Sequence, residues 1–204
     1  KTYYKGFLQT QSFNIGKFLQ IKGMGSITSS VTIQGNGLRK DDADARINGN
    51  VQSVGYNGYT YRNTTLNGEF KKGFFSGIVE ANDPNVNLSF NGEVDITSKI
   101  HRFKFDSKIN SVNLAAIHIV SDSIHPAILS GHVKVDVKGN SPDEMTGTVA
   151  VDSMNYNIHK GVYYIKHLTL KSDISGDTHT ISMISDYADV NVSGHFYPTE
   201  SGQC

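Results

Sequence analysis

Val86-Asn87-Leu88-Ser89-Phe90-Asn91-Gly92-Glu93-Val94-Asp95-Ile96 is the stretch that decides the fold. Val86, Leu88, Phe90, Val94 and Ile96 take alternate positions with Gly92 among them, and Asn87, Ser89, Asn91, Glu93 and Asp95 fill the places between. Successive side chains of a strand point to opposite faces, so this period of two describes a strand with one apolar and one solvated face. The pattern recurs downstream. Phe103, Phe105, Ser107 and Ile109 alternate with Arg102, Lys104, Asp106 and Lys108, and Leu129, Gly131, Val133, Val135 and Val137 alternate with Ser130, His132, Lys134, Asp136 and Lys138. Weaker runs lie at 43–54, 59–70, 147–152, 163–174, 179–185 and 188–196; the third of these adds Val149 and Val151 to the apolar side.

Turn residues separate the runs. Asn57-Gly58, between Tyr56 and Tyr59, is a two-residue hairpin signal, because a type I′ turn needs positive φ at both positions. Lys72-Gly73, Asp83-Pro84-Asn85 and Ser98-Lys99 are further turns. Strand, short turn, strand predicts an all-β antiparallel meander with one to three short helical pieces. Candidates for those pieces are 112–120, with Leu114, Ala115, Ala116 and Ile117, and Ser141-Pro142-Asp143-Glu144, which offers a Ser cap, a first-turn Pro and a Glu three after the cap. Asn14 to Leu19 fits either helix or strand. The chain reads as one β-rich domain over 1–204, with the most loop-like joint, between two subsheets, near 121–128.

Counting outward from Asn57-Gly58 gives a register. Tyr56 faces Tyr59, Val54 faces Tyr61, Gly49 meets Leu66, Ile47 meets Gly68, Arg46 meets Glu69 and Ala45 meets Phe70. Ile47, Leu66 and Phe70 then share the apolar face, and an opposite-charge pair falls on the other; a slip of one residue scrambles both. Glycines opposite large side chains lower the apolar face locally and let the sheet bend over it.

Composition narrows function without naming it. Nineteen Lys and Arg balance nineteen Asp and Glu, so no general basic field points to nucleic acid. The single cysteine, Cys204, excludes an internal disulfide or a Cys-based zinc site. Leu114-Ala115-Ala116-Ile117, the longest aliphatic run, is far too short for a membrane-spanning helix. None of the eight histidines has the spacing of a helical zinc pair, and Asp41, Asp42 and Asp44 lack the glycine and closing Glu of a calcium loop. There is no Gly-x-Ser-x-Gly elbow, and neither Gly23-Met24-Gly25 nor Gly35-Asn36-Gly37 opens a helix that would cradle phosphate. No catalytic residue, metal or cofactor is expected. Tyr56, Tyr59 and Tyr61 read equally as a ligand platform or as cross-strand stabilisers of a hairpin tip.

The segment 57–70 (Asn-Gly-Tyr-Thr-Tyr-Arg-Asn-Thr-Thr-Leu-Asn-Gly-Glu-Phe), with Phe75-Ser76-Gly77, Asn82-Asp83-Pro84-Asn85 and Leu88-Ser89-Phe90-Asn91-Gly92-Glu93-Val94-Asp95, resembles the repetitive β-rich region of TamB-like proteins of the AsmA superfamily, of the Bacteroidota type. Leu129-Ser130-Gly131-His132-Val133, Ser141 to Gly147 and Ser185 to Gly194 fit the same pattern. The resemblance implies an internal fragment of a large envelope protein whose strands form an elongated, taco-like groove with an apolar interior. It implies the periplasm of a diderm bacterium and a part in phospholipid transport and outer-membrane biogenesis. Its partners would be phospholipid acyl chains, adjoining segments of the same long protein, and an outer-membrane assembly barrel. On that reading the groove is lined by Ile47, Leu66, Phe70, Leu88, Phe90, Val94, Ile96, Phe103, Phe105, Val133, Val135, Val137, Val149 and Val151.

Two other readings fit the alternation. A compact β-sandwich or barrel would close the apolar faces on themselves and serve as a binding module for carbohydrate or protein on the cell envelope. A transmembrane β-barrel piece would turn the apolar face outward to lipid.

Overall fold

The computed structural model describes residues 3–19, 22–37, 44–96, 98–120, 125–141 and 144–194, with Leu19 described in its backbone alone. The described residues form one sheet of twelve strands in sequence order, every neighbouring pair antiparallel. The strands are β1 (Tyr3–Asn14), β2 (Met24–Asn36), β3 (Asp44–Tyr56), β4 (Tyr59–Lys71), β5 (Phe74–Asp83), β6 (Val86–Asp95), β7 (Arg102–Asn113), β8 (Ile128–Lys138), β9 (Thr146–Ile158), β10 (Gly161–Ser175), β11 (Thr178–Ser185) and β12 (Asp189–Gly194). The sheet does not close: β1 and β12 are its two edges, and it curves as an open meander. All twelve strands belong to this one sheet, so the described residues form neither a two-sheet sandwich nor a closed barrel.

The expected hairpin is present with the expected register. Asn57 and Gly58 have φ of 47° and 81°, and Tyr56–Tyr59, Val54–Tyr61, Gly49–Leu66, Ile47–Gly68, Arg46–Glu69 and Ala45–Phe70 pair across it. Arg46 and Glu69 form an exposed, hydrogen-bonded ion pair. Lys72 and Gly73 repeat the two positive φ values, at 53° and 92°, in the β4–β5 turn. Strands β1, β2 and β5 carry no run named above. Adjacent apolar pairs (Tyr3-Tyr4, Phe7-Leu8, Phe74-Phe75, Ile78-Val79) blur the period of two in β1 and β5, and a hydroxyl, Ser29, takes an inward position in β2.

Among the described residues there is one helix, α1 (Ile15–Leu19), in the stretch that fitted either structure. Asn14 starts it, its side-chain oxygen accepting from the Lys17 N–H at 2.8 Å. The expected helix over 112–120 does not form. Val112 and Asn113 still belong to β7, and 114–120 is a run of hydrogen-bonded turns, with Ile119 and Val120 N–H both donating to the Leu114 carbonyl. Short-range turns suit it because Asn113 spends its side chain on the segment's own backbone, accepting from Ala116 N–H at 3.3 Å. Pro142 and Asp143 lie outside the described residues; Glu144 N–H donates to Ser141 C=O at 3.1 Å. Residues 121–124 of the expected joint also lie outside, and the flanking β7 and β8 pair directly.

The register links residues of successive strands into rows across the sheet. One row runs Phe70, Phe75, Val94, Phe103, Val137; the next Ile47, Gly68, Gly77, Gly92, Phe105, Val135, Val149; the next Leu66, Val79, Phe90, Ser107, Val133, Val151. Residues paired in an antiparallel ladder share a face, so these rows are one surface. Bulges at Asn110 in β7 and around Ser153 in β9 each add a residue without losing this facing.

Candidate functional site

Burial is one-sided. Among the described strand residues, the buried apolar ones (Val31, Ala45, Val51, Val86, Val112, Val151) and the buried polar ones (Ser29, Asp83, Ser107, His179) all fall on the face traced above. The opposite face carries exposed charges in cross-strand pairs. Asp136 meets Arg102 and Lys104 at 3.4 and 3.6 Å, and Asp106 meets Lys134 at 3.7 Å and His132 at 2.6 Å. A sheet that shields one side while its strands pack mainly on their sequence neighbours is concave toward that side. The shielding is partial: no large side chain among the described residues is fully buried.

Thirteen of the fourteen sequence-predicted lining residues lie on this face: Ile47, Leu66, Phe70, Leu88, Phe90, Val94, Phe103, Phe105, Val133, Val135, Val137, Val149 and Val151. All are half-buried except Val151, which is buried. Ile96 follows the end of β6 and is 54% exposed. The structure adds Phe75, Val79, Leu168 and Leu170 to the same rows. Phe75 and Val79 were within reach of the sequence, since treating Lys72-Gly73 as a two-residue turn sets Phe75 opposite Phe70 and Val79 opposite Leu66.

The floor of the face is built from glycine and phenylalanine. Gly68, Gly77 and Gly92 are adjacent across β4, β5 and β6, and Gly92 pairs with Phe105. A Cβ on Gly77 would stand 2.5 Å from the Gly68 Cα, and one on Gly92 2.5 Å from the Phe105 Cβ. The Phe75 ring lies over Gly68, where a Cβ would come to 2.7 Å of it. The rings of Phe75, Phe90 and Phe105 follow one another at centroid distances of 6.4 and 5.1 Å. Missing Cβ atoms thus let aromatic rings lie down on the backbone, leaving a continuous apolar surface.

One end of the face is covered. Residues 114–120 fold over it, placing Ile117 against Val86 and Val112, with Tyr59, Tyr61, Ala81, Leu88, Ile109 and Leu114 around them. Below it a polar anchor forms. Asp83, buried at the end of β5, accepts from the Tyr59 hydroxyl at 2.5 Å, from Asn85 N–H at 2.8 Å and from Arg62 N–H at 2.9 Å. The rings of Tyr59 and Tyr61 meet edge to face at 4.8 Å. Burial, reinforced by the Asp83 carboxylate, raises the Tyr59 hydroxyl above its ordinary pKa; burial raises Tyr61 too. These two tyrosines are packed into the hairpin base, and Tyr56 alone of the three is exposed.

A serine and a histidine meet on this face, Ser172 Oγ and His179 Nε2 at 2.6 Å. The hydroxyl proton goes to the Met145 carbonyl, also at 2.6 Å, so the ring N–H donates to Oγ. A nucleophile needs the reverse polarity, with the imidazole accepting the hydroxyl proton. Asp44, the one described member of the Asp41-Asp42-Asp44 group, pairs with Lys71 at 3.8 Å; Asp41 and Asp42 lie outside the described residues. Among the described residues no three His, Cys, Asp or Glu side chains come together in a way that would hold a metal ion.

No protein-family model matches this chain, and no curated protein or solved structure matches it.

Proposed function

We propose that this chain is a non-catalytic segment of a lipid-conducting groove of the TamB-like kind, holding phospholipid acyl chains against its concave face. The observation that carries the reading is the one-sided apolar surface, curved inward and half-shielded, with no second layer of sheet packed over it among the described residues. An apolar sheet face needs a partner layer. Acyl chains supply one: each methylene removed from water contributes roughly 0.8 kcal/mol, so ten contribute on the order of 8 kcal/mol. Head groups stay at the open margin, and the charged convex face stays in water.

The edge strands of the described sheet, β1 and β12, suit continuation of the sheet into adjoining segments of one long protein, since an edge strand presents a row of backbone donors and acceptors on its outer side. On this reading the protein works in the periplasm of a diderm bacterium, in phospholipid transport and outer-membrane biogenesis, and its far end meets an outer-membrane assembly barrel. A photo-crosslinking amino acid at Phe90 or Val135, in the full-length protein in cells, tests it. Phospholipid adducts are expected there and not from Asn91 or Lys134 on the convex face. Equal labelling of both faces, or none from the concave one, refutes it.

A further inference from the structure

We propose that Asn57 is a self-modification site, where the side-chain amide is lost through a succinimide formed with Gly58 and the His118 ring assists the step. The inference is independent of what the concave face holds.

The sequence has five Asn-Gly pairs: Asn36-Gly37, Asn48-Gly49, Asn57-Gly58, Asn67-Gly68 and Asn91-Gly92. Their local chemistry is the same, because glycine carries no Cβ to hinder approach of its backbone nitrogen. The fold makes them different. Asn48-Gly49, Asn67-Gly68 and Asn91-Gly92 lie within strands and are paired on both sides, Gly49 with Val31 and Leu66, Gly68 with Ile47 and Gly77, Gly92 with Gly77 and Phe105. Asn36 is also paired on both sides, with Tyr3 and Asp44, and Gly37 is buried. Ring closure needs the peptide after Asn to swing toward the Asn side chain, and a ladder on both sides resists that swing. Asn57 and Gly58 lie outside the ladder, which ends at Tyr56–Tyr59, and Gly58 is the one exposed glycine of the five pairs.

The His118 ring lies beside this peptide. Its Nδ1 is 3.3 Å from the Asn57 carbonyl oxygen, and a Cβ on Gly58 would stand 3.4 Å from the same nitrogen. A backbone carbonyl only accepts, so Nδ1 carries the proton and donates it. In the reaction the Gly58 nitrogen gives its proton to hydroxide. The negative charge spreads onto the Asn57 carbonyl oxygen, where the His118 donor stabilises it. The nitrogen then attacks Asn57 Cγ. The N–Cγ bond forms, the Cγ–Nδ2 bond breaks, and the amide nitrogen leaves as ammonia after taking a proton from water. Water opens the ring at either carbonyl and leaves an aspartyl or an isoaspartyl residue. The isoaspartyl form adds a backbone atom to the two-residue loop that sets the β3–β4 register.

The test incubates the whole chain at mildly alkaline pH and maps every Asn-Gly pair in one digest by mass spectrometry, with isoaspartate identified by isoaspartyl methyltransferase labelling. Asn57 is expected to convert about tenfold or more faster than Asn48, Asn67 and Asn91, and in urea the pairs are expected to converge on one rate. His118→Gln keeps an N–H donor and is expected to hold the parent rate. His118→Phe keeps a ring without the donor and is expected to slow Asn57 by about three- to tenfold while leaving the strand pairs unchanged. A merely structural role for His118 predicts the reverse sign, since a loosened tip reacts faster. Equal rates at Asn57 and the strand pairs of the folded chain overturn the site. An unchanged or faster rate in folded His118→Phe overturns the part given to His118. If His118→Phe does not fold, His118→Leu takes its place, and the comparison of pairs in the parent decides the site in either case.

Discussion

Replacing Asp83 by Asn separates hydrogen-bond geometry from shape at a buried carboxylate, the one that the described residues of the concave face carry. The β4–β5 ladder ends where Thr64 meets Ala81, so Arg62 N–H lies beyond the last strand partner. Asp83 Oδ2 accepts it, while Oδ1 takes Tyr59 and Asn85. An Asn of the same shape keeps one acceptor oxygen for the latter two and turns an NH2 toward Arg62 N–H, setting donor against donor. One buried backbone donor left unmade costs about 1–3 kcal/mol, and the expected loss for Asp83→Asn lies in that range. Asp83→Ala also strips Tyr59 and Asn85 of their acceptor and is expected to cost about 3–5 kcal/mol. The sheet contains its own control. Asp186 accepts from Lys166 and His167 N–H at 2.5 and 3.0 Å where the β10–β11 ladder ends, but it is exposed. Water replaces the lost acceptor there, so Asp186→Asn is expected to stay within about 1 kcal/mol of the parent. Urea unfolding followed by far-UV circular dichroism reads all three as midpoint shifts at constant slope. Equal losses for Asp83→Asn and Asp186→Asn, or no loss at Asp83, refute the argument that burial of the acceptor sets the magnitude.

Because folding raises the pKa of Tyr59 and Tyr61 above the unfolded value near 10, the folded state holds their protons longer. Their contribution is complete below that pH and declines as the unfolded chain ionises first; a urea midpoint that falls above pH ~10, and falls less in Tyr59→Phe, is the expected result. Gly77→Ala drives a Cβ into the Gly68 backbone and is expected to cost about 1–3 kcal/mol in the same denaturation assay. Val86→Asp puts a charge into the patch under Ile117 and is expected to cost about 3–5 kcal/mol, the scale of an uncompensated buried charge. Val135→Asp, on the half-open part of the face, is expected to cost clearly less, and equal losses at the two sites would show the whole face to be sealed.

The alternation of Val86 to Val94, Phe103 to Ile109 and Leu129 to Val137 was enough to assign strands and faces, because a side-chain period of two leaves only one way to turn a strand. The hairpin register followed from Asn57-Gly58 alone, since a two-residue loop fixes every pair outward from it. Two kinds of information lie outside the alternation of a single strand. Local pattern is silent where neighbouring apolar residues double up, as in β5; there the Lys72-Gly73 turn, itself legible in the sequence, sets Phe75 opposite Phe70 and so gives its face. Pattern is silent, too, about what lies over a face. Leu114-Ala115-Ala116-Ile117 reads as helix by composition, yet its backbone is drawn into turns by Asn113 and its Ile117 into a patch built from residues up to 58 positions away, as Tyr59 is. Whether twelve amphipathic strands fold back as two layers or run on as one open, curved sheet is set by contacts between distant elements and by backbones that approach closely at Gly68, Gly77 and Gly92. Periodicity is a property of each strand by itself; curvature and cover are properties of the assembled sheet, which is why only the tertiary structure decided them.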